Sequence, residues 1–148
     1  MTIGEPALAL DVTVAPSTGD PMQDGGLCGE ATSIQIVPGQ AIVLCYRAEN
    51  TGEIPLGRHF LESELAGTVL DDFPYALSPG AEAFLTKTVS PATTTVETAI
   101  WTAHNAANPA YEAIAVDALL VTVPEPAAGA LGSGAAVALA TIGARRRR

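Results

Sequence analysis

The 148-residue sequence has few positive charges: seven Lys and Arg stand against 16 Asp and Glu, for a formal net charge of −9. Four of the seven are the last four residues, so residues 1–144 carry 16 acidic side chains against three cations, a net charge of −13. Because nucleic-acid binding depends on clustered Lys and Arg, this distribution predicts no nucleic-acid partner. A hydrophobic content of 48% excludes an intrinsically disordered chain, and the length favours one domain.

Catalytic motifs are absent as well. The sequence contains no Gly-x-Ser-x-Gly elbow, no His-Glu-x-x-His pair and no phosphate-binding glycine loop. The two histidines, His59 and His104, have no spacing to Glu62, Glu64 or Asp117 that is typical of a site. We therefore interpret both as exposed loop histidines and predict no catalytic residues and no enzymatic activity.

Acidic residues occur in three close pairs that could supply the oxygen ligands that Ca²⁺ requires. They are Asp20 and Asp24, Glu49 and Glu53, and Asp71 and Asp72. None forms a known calcium loop, so the sequence favours a solvated acidic surface and no cofactor. A calcium site remains the alternative.

The C-terminus contains a long uncharged segment, residues 127–144, followed by four arginines. As a helix it would extend about 27 Å, close to the roughly 30 Å hydrocarbon layer of a membrane. Positive charge is retained on the cytoplasmic side, which predicts a transmembrane helix with the N-terminus outside. A buried Ala-rich helix of a soluble domain is the alternative. Two prolines, Pro124 and Pro126, predict an extended, protease-accessible break before the segment.

The tail resembles the PEP-CTERM sorting signal of Gram-negative bacteria over residues 123–148. The matching parts are the motif Val123-Pro124-Glu125-Pro126, the apolar helix 127–144, and the charges of Arg145, Arg146, Arg147 and Arg148. In that family an exosortase, a membrane-embedded cysteine transpeptidase-like enzyme, recognises the tail and cuts near the Pro-Glu-Pro motif. The resemblance implies exosortase as a partner, and passage through an inner-membrane intermediate to the cell surface or extracellular matrix. Exopolysaccharide or other surface proteins would be further partners.

Export by this route requires a leader, yet residues 1–6 show no basic n-region and no apolar h-region. We expect the chain to be a fragment of a longer exported protein or to have a misplaced start. Insertion by the tail alone is the remaining alternative.

Cys28 and Cys45, the only cysteines, are predicted to form a disulfide in an exported domain. This bond would hold the irregular segment 15–29 against the strand at 41–49 and contribute roughly 3 kcal/mol. Two buried thiols or a metal site are the alternatives, and the metal is disfavoured because CxxC spacing is absent.

Residues 8–123 consist of short apolar runs separated by Gly, Pro, Asn or Asp. Eight runs are candidate strands: Leu8–Val14, Ser33–Val37, Ala41–Glu49, Leu56–Leu61, Gly67–Leu70, Ala83–Val89, Thr95–Ala103 and Ala113–Val123. In the third run, Ile42, Leu44, Tyr46 and Ala48 share one face. Seven or eight such strands predict an all-β Greek-key sandwich of immunoglobulin type.

The body also resembles the Ig-like repeat domains of bacterial surface proteins, over most of residues 32–123. The resemblance rests on Val37-Pro38-Gly39-Gln40, on Glu49-Asn50-Thr51-Gly52 after a Tyr-containing strand, and on the later segments 77–81 and 98–103. Such domains are stalks, spacers and adhesive modules, which implies no catalysis.

These observations divide the chain into a lead-in (1–7), an Ig-like β-sandwich (8–123), a Pro-Glu-Pro linker (124–126), a transmembrane helix (127–144) and a basic cytoplasmic tail (145–148). They predict a non-enzymatic exported surface or matrix protein that an exosortase processes. The alternative is a permanently membrane-anchored Ig-like binding or adhesion module.

Overall fold

Two β-sheets packed face to face form the protein in the computed structural model, which describes residues 4–125. The strands are β1 (Leu8–Pro16), β2 (Ser33–Gln35), β3 (Ile42–Asn50), β4 (Leu56–Ser63), β5 (Gly67–Leu77), β6 (Glu82–Val89), β7 (Thr95–His104) and β8 (Glu112–Thr122). A single helical turn, α1 (Pro21–Asp24), lies between β1 and β2.

One sheet has the strand order β1-β3-β6 and the other β2-β8-β7-β4-β5. All pairs are antiparallel except β2 with β8. The predicted all-β sandwich of about eight strands is therefore confirmed. β6 and β5 are edge strands that lie on the same side of the sandwich and do not pair with each other.

The core lies between the inner faces of the two sheets. From β3 it receives the predicted face, Ile42, Leu44, Tyr46 and Ala48, all of which are buried. From β7 it receives Ala99, Trp101 and Ala103. The side of the sandwich formed by β1 and β8 is closed, because the Val12 amide donates a 2.8 Å hydrogen bond to Asp117 Oδ2 on the opposite sheet.

Two structural elements differ from the sequence prediction. β5 continues to Leu77, well past the predicted end at Leu70, and its pairing with β4 contains register shifts around Asp71 and Asp72. Asp72 has a positive φ of 54°, so a β-bulge admits this polar pair without ending the strand. The segment predicted to be irregular contains α1, which begins where Asp20 Oδ1 accepts a hydrogen bond from the Met22 amide at 2.9 Å.

Asn50 organises the turn after β3. Its side-chain Nδ2 donates to the carbonyls of Ile54 and Leu77, each at 2.9 Å, and its Oδ1 accepts from the Gly52 amide at 3.0 Å. The Asn50 carbonyl accepts from the Gly80 amide at 2.7 Å. The Asn50-Thr51-Gly52 segment and the later Pro79-Gly80 segment, which both contribute to the Ig-like resemblance, are therefore in contact through the fully buried Asn50.

The predicted transmembrane helix at 127–144 and the arginines Arg145–Arg148 lie outside the described residues, as does Pro126. Within residues 4–125, the helical structure is too short and too polar to cross a membrane.

Candidate functional site

The side of the sandwich between edge strands β5 and β6 is open and forms a cleft, here called the β5–β6 cleft. It has a volume of about 630 Å³, within the roughly 300–1,000 Å³ typical of small-molecule sites. Its floor is formed by His59 of β4 and Trp101 of β7, and its walls by the facing sides of β5 and β6.

The floor consists of a hydrogen-bonded pair. The Trp101 indole Nε1–H donates to His59 Nδ1 at 3.1 Å, so Nδ1 is the acceptor and Nε2 carries the proton. His59 Nε2 then donates to the carbonyls of Tyr75, at 2.9 Å, and Leu56, at 3.2 Å. Burial lowers the pKa of His59, with the nearby His104 adding to the effect, while the two carbonyls oppose it. His59 is therefore neutral, with both ring nitrogens in use.

The walls of the cleft are mainly apolar. On β5, Phe73 and Tyr75 are 48% and 47% exposed, although Phe73 pairs with the buried His59 and so lies on the inner face. Val69, Leu70 and Leu85 pack against the core and remain partly exposed to the cleft. Half-exposed aromatic side chains on an inner face indicate a core that is left uncovered at this edge.

One cation lines the cleft. Lys87 pairs with Leu44 in the β3–β6 register, and since Leu44 is a core residue, Lys87 lies on the inner face of β6. Arg47 forms an ion pair with Asp11, at 3.8 Å, and Arg58 with Asp72, at 3.2 Å. Lys87 forms no ion pair with any side chain in residues 4–125.

A second polar cluster is buried inside the sandwich. The Tyr46 hydroxyl donates to Glu97 Oε2 at 2.6 Å and lies 2.8 Å from the Ser63 hydroxyl, which also donates to Glu97 Oε2. The Leu65 amide donates to Glu97 Oε1 at 2.9 Å. Burial, followed by the hydrogen bond to Glu97, raises the pKa of Tyr46 well above its ordinary value. Because all three side chains are buried, the cluster acts between strands and offers no atom to a substrate.

A second apolar surface lies on the outer face of the larger sheet. It is formed by exposed residues of β7 and β8, with Ile100 opposite Val116 and Val96 opposite Leu120 in the register, and with Ile114 beside them. We call it the β7–β8 face. Exposed apolar residues that are neighbours on one sheet face are typical of interaction surfaces.

The predicted disulfide is confirmed: Cys28 is bonded to Cys45, with the two Cα atoms 5.1 Å apart. Cys45 lies in β3 and Cys28 in the loop after α1, so the bond holds the segment 15–29 against the outer face of β3, as predicted. A hydrogen bond of 3.1 Å from Thr86 Oγ1 to the Gly25 carbonyl fixes the same loop to β6.

Three members of the acidic pairs, Asp20, Asp24 and Asp72, bond to other groups of the protein. Asp24 is buried, and the hydroxyls of Ser17 and Thr18 and the Thr18 amide donate to it, which lowers its pKa, with Ser17 making the largest contribution. Asp20 caps α1, and Asp72 pairs with Arg58. In residues 4–125 no three His, Cys, Asp or Glu side chains are placed together to hold a metal ion. The calcium alternative therefore has no ligand set in this part of the chain.

The histidine interpretation was wrong for His59. This residue is 1% exposed and lies within β4, where it bonds to an indole and two carbonyls. His104 is the last residue of β7, half-buried, and its ring lies 5.9 Å from that of Phe60. Neither ring bonds to Glu62, Glu64 or Asp117. The error has a physical cause: alternation from Leu56 would place His59 on the outer face, and a register shift between Leu56 and Arg58 places it on the inner face instead.

The predicted sorting motif begins where the sandwich ends. Val123 is buried, its amide donates to Thr94 Oγ1 at 2.9 Å, and its carbonyl accepts from the same hydroxyl at 3.2 Å. Pro124 and Glu125 follow and are exposed. Pro126 is outside the described residues.

Sequence reasoning missed the β5–β6 cleft, although two signals were present. Phe73 and Tyr75 are two residues apart and so share a face of a strand. On β6, every second residue from Ala83 to Val89 faces inward, and Lys87 is the charged residue in this otherwise apolar series. Neither signal could be used without knowing that both strands are edges.

Comparison with known proteins yields similarity in structure only. No family model matches the sequence, and no curated protein matches it. The CARDB domain of a Pyrococcus furiosus protein, crystallised in complex with di-metal ions, is 15% identical and is covered in full, over 84% of this chain, with a TM-score of 0.47. A Niemann-Pick type C2 protein from the Japanese carpenter ant is 11% identical, with 93% of it and 81% of this chain covered and a TM-score of 0.36. Neither similarity is strong enough to assign a family, a ligand or a function to this chain.

Proposed function

We propose that this chain is a non-enzymatic exported protein of the cell surface or extracellular matrix, delivered by a C-terminal PEP-CTERM sorting signal. One observation carries the proposal. The last anchored residue of the sandwich, Val123, is also the first residue of the motif, and Pro124 and Glu125 are exposed immediately after it. A cut at this point would release the sandwich with all eight strands intact.

The chemistry of the boundary supports processing. Pro124 has no amide hydrogen, so it cannot continue the ladder of β8 or pair with another strand. A protease binds its substrate as an extended chain, and an exposed segment just outside a folded domain is the usual place for cleavage. Pro124 and Glu125 meet this requirement, and the hydrogen bonds of Thr94 to Val123 hold the end of the sandwich just before them.

The disulfide supports export. Such bonds persist in oxidising compartments and are rare in the cytosol. The Cys28–Cys45 bond therefore indicates an extracellular or periplasmic protein. In this proposal the chain passes through an inner-membrane intermediate with its N-terminus outside, and exosortase then removes residues 127–148.

The strand order supports an Ig-type sandwich. The orders β1-β3-β6 and β2-β8-β7-β4-β5 correspond to strands A-B-E facing A′-G-F-C-C′ of the immunoglobulin arrangement. The chain crosses between the sheets at every connection except those from β4 to β5 and from β7 to β8. We assign the domain to this class, whose bacterial members serve as spacers and adhesive modules.

Processing of matched variants in the native host tests the proposal. Pro124→Ala/Glu125→Ala alters the motif, and Glu112→Ala removes an exposed carboxylate at the start of β8 as the control. We expect the motif variant to accumulate in the membrane fraction at full length, while the control is released and shortened like the wild type. Release and shortening of the motif variant at the wild-type rate would contradict the proposal.

A permanently membrane-anchored binding or adhesion module is the second candidate. The β7–β8 face favours it. A spacer has no need to expose five large apolar side chains on one sheet face, whereas a module that binds a partner does. The same fractionation separates the two: a wild-type product that stays full-length in the membrane supports the permanent anchor.

A further inference from the structure

We propose that the β5–β6 cleft binds an elongated apolar molecule with one anionic headgroup, such as a fatty acid, and that Lys87 pairs with that headgroup. The ligand would lie between the edges of the two sheets, over His59 and Trp101. This activity goes beyond sorting to the surface and does not depend on it.

The polar groups of the floor favour an apolar ligand. Trp101 Nε1 and both nitrogens of His59 already have partners inside the protein. A sugar in this position would bring many hydroxyls to a floor with no free donor or acceptor, and each unpaired group would cost free energy. An acyl chain has no such groups, and it would cover the exposed surfaces of Phe73, Tyr75 and Leu85.

The edges of the cleft disfavour a peptide strand as the occupant. β5 is interrupted by the bulge at Asp71 and Asp72, and β6 carries a charged side chain, Lys87, on its inner face. Bulges and inward-pointing charges are the devices by which edge strands resist pairing with another chain. Backbone pairing along either edge would have to remove these obstacles, whereas a small molecule would not.

Charge supports the anionic headgroup. Lys87 lines the cleft and forms no ion pair within residues 4–125, while Arg47 and Arg58 are each held by an aspartate. Glu82, the first residue of β6, pairs with Glu49 and not with a core residue, so its side chain lies on the outer face of the strand. Lys87 is therefore the charged side chain on the inner face of β6, and an anionic amphiphile would place its headgroup there.

Titration with matched probes tests the proposal on the protein as isolated from its host. Dodecanoate, below its micelle concentration, is compared with dodecanol and dodecylammonium. The single Trp of the chain, Trp101, lies in the floor and reports occupancy through its fluorescence. We expect saturable binding with a stoichiometry of one, with dodecanoate binding most tightly of the three.

Variants then separate the contribution of the headgroup to binding from that of the acyl chain. Lys87→Gln should weaken the binding of dodecanoate by about two- to fivefold and leave that of dodecanol unchanged. Tyr75→Ala should weaken both. Arg47→Gln and Val116→Ala, which change a paired cation and an apolar residue away from the cleft, are the controls. Unfolding midpoints establish that each variant is folded.

Three results would overturn the proposal: no saturable change at Trp101, equal affinity of wild type and Lys87→Gln for dodecanoate, or tighter binding of a soluble oligosaccharide or a β-strand peptide than of dodecanoate. These outcomes are independent of the processing of the tail, so failure here leaves the proposed function to its own test.

Discussion

The Trp101 indole donates a hydrogen bond to the His59 imidazole inside the sandwich, with Nε1 of Trp101 3.1 Å from Nδ1 of His59. The rings meet edge to face at 85°. Because His59 Nε2 in turn donates to the Tyr75 carbonyl, one neutral imidazole links β7, β4 and the edge strand β5. Protonation of His59 would remove the acceptor of the indole, so the link depends on pH.

We expect the free energy of unfolding to fall as the pH is lowered below about 6.5, the ordinary pKa of a histidine. Burial lowers the pKa of His59 in the folded state, so below that pH the unfolded chain binds more protons and is favoured. Stability should therefore rise with pH from the lowered pKa up to about 6.5. Urea denaturation across this range measures the slope. His59→Gln should lose it and His104→Gln should keep it; a slope retained in His59→Gln would contradict the assignment.

Glu97→Ala should lower the free energy of unfolding by about 2–4 kcal/mol, because Tyr46, Ser63 and the Leu65 amide lose a buried acceptor. Tyr46→Phe should lower the free energy of unfolding by less, because the Ser63 hydroxyl and the Leu65 amide still donate to Glu97. The double variant should be more stable than the sum of the two effects predicts, by about 0.5–3 kcal/mol. Denaturant unfolding of the four proteins measures this coupling. Strict additivity would show that the cluster is not energetically connected.

Replacing the disulfide by Cys28→Ala/Cys45→Ala should lower the free energy of unfolding by roughly 3 kcal/mol. The bond restricts the unfolded chain between two points 17 residues apart. Addition of a thiol reductant should lower the free energy of unfolding of the wild type by a similar amount and leave that of the double variant unchanged. Equal sensitivity of the two proteins to reductant would contradict this prediction.

Gly52→Ala should destabilise the protein by about 1–3 kcal/mol, since a Cβ at this position would lie 2.5 Å from the Ala7 amide nitrogen and the Glu5 carbonyl oxygen. Both contacts are with backbone, which cannot move aside as a flexible side chain would. Gly26→Ala is the matched control, because a Cβ there meets nothing within 4 Å. Thermal unfolding of the two variants measures the difference. Equal melting temperatures would show that the Asn-Thr-Gly turn tolerates rearrangement.

The sequence predicted the strands well where one face is apolar and the other polar. β1, β3, β6, β7 and β8 fall within a residue or two of the expected ends. Alternation failed in β5, where a bulge shifts the register at Asp71 and Asp72, because the period of two assumes an uninterrupted pleat.

The candidate site was less predictable than the strands. The disulfide could be predicted from the presence of just two cysteines and from the oxidising compartment expected of an exported domain. The β5–β6 cleft depends on which strands lie at the edges and on how the sheets face each other, and these are properties of strand order, which alternation does not contain. His59 and Lys87 illustrate this, since each departs from the polarity expected of its face.

The mass of the mature protein from its native host tests the central claim most directly. We expect a product that ends near Pro124–Pro126, retains the Cys28–Cys45 bond and lacks residues 127–148. A mature product that still ends at Arg148 would contradict removal of the tail.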